Sequence, residues 1–233
     1  MLERKMKPHQ GNSPLHILGR YALYTVLIIA VFLPLPVVVT ASGIGAYGEG
    51  GFIEWCPFIL LATSLSIFLI GFYLQPEERG AFALLAVLVC LALVRKNDAC
   101  LDSMISIGGW KTLAALVATV GFLVVFHERS SIRQGTVTII SGHSFPLLWC
   151  GFVAVVPFSQ IMGRAKLIKA LLGIEYLRNY KTLVHESTEL LGYLLIVIGA
   201  IEMFRETSHG KYLGGLVQSV SAEATHGERI GYR

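Results

Sequence analysis

Residues 56–75 read CPFILLATSLSIFLIGFYLQ, twenty consecutive positions without an Asp, Glu, Lys or Arg. A helix needs about 20 apolar residues to cross the roughly 30 Å hydrocarbon layer of a membrane. Similar stretches recur at about 21–42, 80–95, 107–126, 136–162 and 187–204. This repetition predicts an all-α, polytopic integral membrane protein, a bundle of about six transmembrane helices.

The composition agrees with a chain dissolved in lipid. Hydrophobic residues make up 54% of the 233 positions and charged residues 15%, whereas a soluble domain carries about 25% charged residues. The net charge of +4 comes from basic residues in short connectors, a pattern typical of lipid contact and not of nucleic-acid binding. We therefore expect the lipid bilayer and other membrane protein subunits as partners, no nucleic acid, and a multi-pass location in a bacterial inner (plasma) membrane.

The chain divides into three predicted regions. A basic N-terminal segment covers residues 1–20, the helical bundle covers 21–204, and a polar, loosely ordered tail covers 205–233. The length leaves no room for a second domain beside the bundle.

Two local features modify the bundle. Pro34 and Pro36 predict a kink or an end in the first span, because proline lacks the N–H that a helix interior requires. Between the last two spans, residues 164–181 place five basic residues among apolar residues at helical spacing. That pattern predicts an amphipathic helix lying in the membrane interface.

One group of polar residues is predicted to share a side of the membrane. Asp98 and Asp102 follow the third span, and His185, Glu186 and Glu189 begin the sixth, so six crossings bring both sets to one rim. Within each set the carboxylates are three or four residues apart and share a helix face. Carboxylate and histidine ligands suit zinc, iron or manganese, which makes these five residues a candidate site for a divalent metal.

The same rim has a simpler interpretation. Arg95, Lys96 and the basic residues of 164–181 lie beside these carboxylates. Carboxylates next to basic side chains form interfacial ion pairs, and glutamates at a helix start interact favourably with the helix dipole. The sequence leaves both the metal site and the structural ion pairs open.

A second polar group is predicted on the opposite side. His127 and Glu128 end the fourth span, His143 lies about two turns inside the fifth, and Glu202 is near the end of the sixth. An ionisable residue inside an apolar span is a candidate functional site, and Glu202 is the predicted partner of His143. Haem ligation is one use of such histidines, and a neutral His143 bonded across a helix interface is the alternative.

Three functional hypotheses follow. The leading one is a non-enzymatic membrane component or accessory subunit, because the chain holds no complete catalytic motif and its connectors are short. The first alternative is a membrane-embedded, metal-dependent enzyme using the carboxylate and histidine rim. The second alternative is a small proton-coupled transporter using His143 and Glu202. The sequence does not decide whether the protein is an enzyme.

Overall fold

The structure, a computed structural model, describes residues 14–42, 52–104, 108–173 and 178–230. These described residues form helices and no strand, so the predicted all-α helical bundle is confirmed. The chain separates into two compact units, Met1–Ala46 and Tyr47–Arg233. Of the predicted basic segment 1–20, residues 1–13 lie outside the described residues, and the rest belongs to the first helix.

The first unit consists of two short helices, α1 (Pro14–Phe32) and α2 (Pro34–Ser42). The interruption falls at Leu33, directly before Pro34, whose missing N–H removes a helical hydrogen bond. The kink predicted for the first span is therefore confirmed. Residues Leu15–Val37 are long and apolar enough to cross a membrane.

The second unit contains the remaining helices of the described chain. Their bounds are α3 (Phe52–Leu74), α4 (Arg79–Lys96), α5 (Asp98–Met104), α6 (Gly109–His127), α7 (Arg129–Ser141), α8 (Ser144–Val153), α9 (Ser159–Met162), α10 (Ala165–Leu172) and α11 (Arg178–Ile230). A π-helical segment, Ala154–Phe158, joins α8 to α9 without a break. Pro157 lies in this segment, and its missing N–H accounts for the departure from regular α-helical bonding.

Helix α11 lies at the centre of the second unit. One of its faces packs against α8, the π-helical segment and α9, and another packs against α3. Helix α3 in turn packs on α4, and α4 packs on α6 and α7. Helix α11 therefore has neighbours on two of its faces, and α4 packs against three other helices.

Contacts near the helix ends define two poles of this unit. At one pole the side chains of Lys96 and Glu186 meet, and the ring of His185 lies beside Gly163. We name this pole the Lys96 end. At the other pole Gln75 Nε2 donates a hydrogen bond to Ser208 Oγ over 3.0 Å, and we name it the Gln75 end. Helices α3 and α11 run from the Lys96 end to the Gln75 end, and α4 runs the opposite way.

Apolar side chains fill the space between the two ends. The core joins α3, α4, α8 and α11 and includes Leu61, Phe68, Ala81, Phe82, Ala86, Val89, Leu148, Tyr193, Ile196, Ala200 and Met203. Aromatic rings from neighbouring helices meet in it, with the Phe68 and Phe82 centroids 6.5 Å apart.

Glycines set the separation of α8 and α11. A Cβ added at Gly151 would lie 2.9 Å from the carbonyl oxygen of Gly192, and a Cβ added at Gly192 would lie 2.9 Å from the carbonyl oxygen of Gly151. The two backbones are therefore in direct contact at this crossing. Small residues at such a crossing allow van der Waals packing of the kind that joins helices in lipid.

Five stretches of the described chain are long and apolar enough to cross a membrane, one fewer than the predicted six spans. They are Leu15–Val37, Trp55–Leu74, Gly109–His127, Ser144–Met162 and Lys181–Ser208. The predicted span 80–95 corresponds to α4, which carries charged residues at both ends. Its uncharged interior, residues 80–94, is about 22 Å long at 1.5 Å per residue, shorter than the hydrocarbon layer.

Three predicted boundaries differ from the structure. The fifth span, expected at 136–162, is divided between α7 and the apolar stretch Ser144–Met162. The interfacial helix expected at 164–181 is shorter, because α10 covers Ala165–Leu172 and Arg178 already belongs to α11. The tail expected to be loosely ordered continues α11 as far as Ile230, since no proline interrupts it.

We predict that Gly192→Ala destabilises the second unit. The added methyl would overlap the Gly151 carbonyl oxygen, and overpacking of this kind outweighs the better helix propensity of alanine. The expected loss is about 1–2 kcal/mol in the free energy of unfolding, measured by denaturant titration in detergent. Gly19→Ala is the control, because no atom lies within 4 Å of its added Cβ. Equal stabilities of the two variants would contradict this account of the crossing.

Candidate functional site

Glu189 is the centre of a polar cluster at the Lys96 end. It is on α11, and only 9% of its surface is exposed. Its Oε2 accepts from Lys96 Nζ over 3.3 Å and from Tyr193 Oη over 3.5 Å, while its Oε1 lies 3.3 Å from His185 Nε2. A buried carboxylate requires such compensation, because leaving water penalises its charge.

His185 is held in a defined orientation. Its Nδ1 lies 3.0 Å from the carbonyl oxygen of Ser159, near the end of the helix that packs on α11. Gly163 leaves room for the ring, because a Cβ there would lie 2.7 Å from Nδ1. A carbonyl oxygen only accepts hydrogen bonds, so Nδ1 carries the proton. A hydrogen bond of this kind fixes the tautomer and leaves Nε2 directed at the carboxylate of Glu189.

This arrangement calls for a positive charge between His185 and Glu189. With a proton on Nδ1, the Nε2 atom of a neutral ring has a lone pair, and a carboxylate oxygen also only accepts. Two acceptors 3.3 Å apart repel each other unless a proton or a metal ion lies between them. The contact is therefore either an imidazolium–carboxylate pair or a metal site.

Lys96 supplies another positive charge to the cluster. Its Nζ binds the Oε2 atoms of both Glu186 and Glu189. Burial favours the neutral form of Lys96, but the charges of Glu186 and Glu189 outweigh this effect and raise its pKa above the ordinary 10.5. Lys96 thus stays cationic and joins the end of α4 to α11.

Three of these side chains have the types and spacing of metal ligands. His185, Glu186 and Glu189 each offer one ligand atom, and these atoms lie within 4.8 Å of one another. Zinc bonds of about 2.0–2.1 Å in a tetrahedron put neighbouring ligand atoms about 3.3 Å apart. The His185–Glu189 separation already has this value, whereas Glu186 would have to exchange Lys96 for the ion.

The cluster faces a cavity of about 750 Å³. Its walls come from α3, α4, the start of α5, α11 and the continuous run from α8 to α9. The charged and hydrogen-bonding side chains on these walls are Arg95, Lys96, Asp98, Gln160, Thr182, His185, Glu186, Glu189 and Tyr193. The remaining lining residues are apolar, so the cluster opens into a space large enough for a small ligand.

The two predicted aspartates have different surroundings. Asp98 lines the cavity together with His185, Glu186 and Glu189. Asp102 is not among the lining residues of this cavity. Its Oδ1 accepts a hydrogen bond of 3.0 Å from the backbone N–H of Trp110, in the first turn of α6. This is the bonding of a helix cap, which satisfies an N–H that no helical carbonyl can reach.

The structure places His143 at a break between two helices, whereas we expected it inside one continuous span. Its side chain is 65% exposed and stands between α7 and α8. Gly142 has an extended backbone that ends α7, and Pro146 falls in the first turn of α8, where its missing N–H has no cost. The Gly–x–x–x–Pro spacing was the sequence signal for this break.

In the described residues the ion-pair partner of His143 is Glu206 and not the expected Glu202. His143 Nδ1 lies 3.4 Å from Glu206 Oε1, one helical turn further along α11. Glu202 is 2% exposed, and its Oε1 lies 3.8 Å from Arg205 Nη1. The transporter hypothesis therefore lacks the pair on which it was based.

His127 and Glu128 occupy the junction of α6 and α7. The side chain of His127 is exposed at the last residue of α6, and the carbonyl of Glu128 accepts from Ser131 Oγ over 3.0 Å. The carbonyl oxygen of Glu128 also lies close to α4, since a Cβ added at Gly80 would be 2.8 Å from it. These contacts hold the junction of α6 and α7 against α4, and haem ligation by these histidines stays a prediction.

Sequence reasoning identified Lys96 only as a partner in structural ion pairs, and it missed Tyr193 and Ser159. Tyr193 is four residues after Glu189, a spacing that places both on one helix face and could have signalled the contact. Ser159 acts through its backbone carbonyl, which carries no residue-type signal. We found no match to this chain among protein-family models, curated proteins or solved structures.

We predict that Lys96 stabilises the fold in a pH-dependent way. Its folded-state pKa is raised, so its contribution is complete below pH 10.5 and is lost as the pH rises through the folded-state value. At pH 8, Lys96→Met should lower the free energy of unfolding by about 2 kcal/mol, less than for a fully buried pair, because the partners keep partial exposure.

The measurement is denaturant unfolding in detergent for wild type and Lys96→Met from pH 8 to pH 11.5. The difference between the two should stay constant to about pH 10.5 and then shrink. Lys111→Met is the control, because it removes an exposed lysine on α6 and should change stability by less than about 0.5 kcal/mol. A difference that does not vary with pH would contradict the predicted role.

Proposed function

We propose that this chain is a multi-pass membrane protein that binds a divalent transition-metal ion at the Lys96 end. The observation that carries the proposal is His185, fixed by the Ser159 carbonyl with Nε2 directed at the carboxylate of Glu189 over 3.3 Å. Glu186 completes a set of three ligand atoms within 4.8 Å of one another. A mixed nitrogen and oxygen set of this kind suits zinc or a similar ion.

The membrane location is supported by helix length and by outward-facing apolar residues. Large apolar side chains are exposed on several helices, including Phe122 and Leu123 on α6 and Trp149 on α8. Along α11, Glu186 and Glu206 are twenty residues apart, or about 30 Å, the thickness of the hydrocarbon layer. Both polar ends of the second unit would then lie at the two membrane surfaces.

Helix α4 fits the same placement as a further crossing. It runs between the same two ends, its interior packs against α3, α6 and α7, and its charged residues fall at Arg79, Arg95 and Lys96. Long basic side chains can extend towards the surface and so compensate for a short apolar interior. We further propose that this membrane is a bacterial plasma membrane.

The metal would be held by three protein ligands. A zinc ion with three ligands keeps a fourth position for water or for a substrate group, and it acts there as a Lewis acid. The cavity lined by His185, Glu186 and Glu189 would offer space for such a group beside the ion. The chain's own residues orient the imidazole, since the Ser159 carbonyl oxygen lies 3.0 Å from Nδ1 of His185.

A second candidate function rests on Lys96. Its contacts with both glutamates neutralise the cluster without any metal, which favours a purely structural ion-pair group in a non-enzymatic membrane component. The two candidates differ in what happens when Lys96 is removed. A metal site gains affinity because a competing cation is lost, whereas a structural group only loses stability.

We predict that the protein stays with the membrane when peripheral proteins are stripped. After expression, the chain should remain in the membrane pellet at alkaline pH in carbonate and should enter solution only with detergent, because its apolar surfaces require lipid. The measurement is fractionation followed by immunoblotting. Recovery of a monodisperse protein in detergent-free buffer would contradict the membrane assignment.

We predict stoichiometric zinc binding that depends on the three ligands. Zinc titration of chelator-treated protein in detergent, followed with a chromophoric competitor, should give one site per chain. Glu189→Gln and His185→Ala should each weaken binding by more than about tenfold, and Lys96→Met should strengthen it. Exposed Glu77→Gln and His127→Ala are matched controls at the Gln75 end and should bind as wild type does.

The outcomes separate the two candidate functions. Zinc should also raise the midpoint of thermal unfolding of Lys96→Met more than that of wild type, because an ion that binds only the folded state stabilises it. Absence of zinc binding in both wild type and Lys96→Met would leave the structural ion-pair group as the better account. Binding that persists unchanged in Glu189→Gln and His185→Ala would show that the ion sits elsewhere.

A further inference from the structure

The cavity changes from charged to apolar along its length. On α4 the apolar lining residues Leu88, Val89 and Ala92 come before the charged residue Arg95, towards the Lys96 end. On α11 the order is reversed, as its opposite direction requires, with Thr182 first and Ile196 deep in the unit. These two α11 residues are fourteen positions apart, so the cavity extends over about 21 Å of helix.

The run from α8 to α9 repeats the same order. Phe152 and Val155 line the deeper part of the cavity, and Gln160 lines the part near the cluster. Three separate helical walls thus place their polar lining residues near the Lys96 end and their apolar lining residues deeper in the unit. The π-helical segment forms part of this wall, and such segments occur frequently at functional sites.

The apolar part of the cavity is accessible from the side of the bundle. Leu88 on α4 is 41% exposed and Val156 on the π-helical segment is 62% exposed, although both line the cavity. In a membrane this outer surface faces hydrocarbon. An apolar chain could therefore enter from the bilayer, whereas a water-soluble ligand would gain nothing from this wall.

The charge at the polar end favours an anionic group once a metal is bound. Three lining carboxylates, those of Asp98, Glu186 and Glu189, face two basic side chains, those of Arg95 and Lys96. A divalent ion would change the resulting net charge from −1 to +1 with a neutral His185. The guanidinium of Arg95 is also suited to a carboxylate or a phosphate.

We infer that the cavity binds a single-chain anionic amphiphile from the bilayer, with its head group at the metal and Arg95 and its acyl chain between α4 and the π-helical segment. The inference rests on the proposed metal site for the placement of the head group. A volume of about 750 Å³ lies within the range of cavities that enclose small ligands. A two-chain lipid would have to leave one chain outside.

The test uses palmitate that carries a photoreactive diazirine near the end of its chain. The protein is reconstituted in phosphatidylcholine vesicles with zinc and the probe, irradiated, and digested for mass spectrometry. Labelling should concentrate on peptides that contain Leu88 and Val155, at least about fivefold above the peptide containing Leu123 on the outer face of α6. Equal labelling of all exposed apolar surfaces would overturn the inference.

Two substitutions examine the acyl site. Leu88→Trp should reduce labelling at Val155 by about fivefold or more, because the indole fills the space for the chain. Leu123→Trp makes the same change at an exposed position outside the cavity and should have no effect. Labelling at Val155 that persists in Leu88→Trp, with zinc binding intact, would contradict the proposed position of the chain.

The head group is examined with the corresponding photoreactive alcohol, which has the same chain without the charge. Palmitate should label the cavity more strongly than the alcohol, and Arg95→Gln should reduce the labelling by palmitate more than that by the alcohol. Equal labelling by the two probes would overturn the anionic head group. Zinc binding is measured in parallel: zinc binding without labelling contradicts only this inference, and loss of zinc binding contradicts the proposed function itself.

Discussion

The carboxylate of Glu189 must be compensated where it lies. It is on the central helix, it is nearly excluded from the surface, and an isolated charge in such a place would cost several kcal/mol. Lys96, His185 and Tyr193 supply the compensation, and the first two also connect separate helices. Lys96 joins α4 to α11, and His185 joins α11 to the Ser159 carbonyl. The geometry of the Lys96 end therefore depends on neutralising one side chain.

Helix packing and this ion-pair group act on different sides of α11. The backbone contact of Gly151 with Gly192 holds α8 close, whereas α4 meets α11 through the long side chain of Lys96. The backbones of α8 and α11 touch, whereas α4 and α11 are separated by the length of the Lys96 side chain. The cavity occupies the space that this separation leaves beside α4. The position of the cavity therefore follows from the positions of Gly151, Gly192 and Lys96 in the sequence.

Sequence reasoning was sufficient for the fold class and for bringing Asp98, His185, Glu186 and Glu189 to one end of the bundle. Both predictions need only the lengths of the apolar spans and the fact that successive spans cross the membrane in opposite directions. On that basis Asp98 and Glu189 could be assigned to the same end of the bundle from the sequence alone. Sequence reasoning missed the helix break at His143. Hydropathy averages Gly142 and Pro146 into one long apolar span, whereas the extended backbone of Gly142 ends α7 and Pro146 lies in the first turn of α8. Sequence reasoning could not find the Ser159 contact, since a carbonyl is the same in every residue.

The two ends of α11 use carboxylates in different ways. Glu206 at the Gln75 end accepts from the backbone N–H of His143 over 2.7 Å, which caps α8, and also from Ser144 Oγ over 2.7 Å. Within the described parts of the chain, Glu189 at the Lys96 end accepts from side chains alone, and it faces a histidine nitrogen that requires a cation for a favourable contact. Backbone donors are permanent, whereas side-chain cations can be displaced. A ligand that changes its surroundings would therefore act at Glu189, beside the cavity, and leave the capped end unchanged.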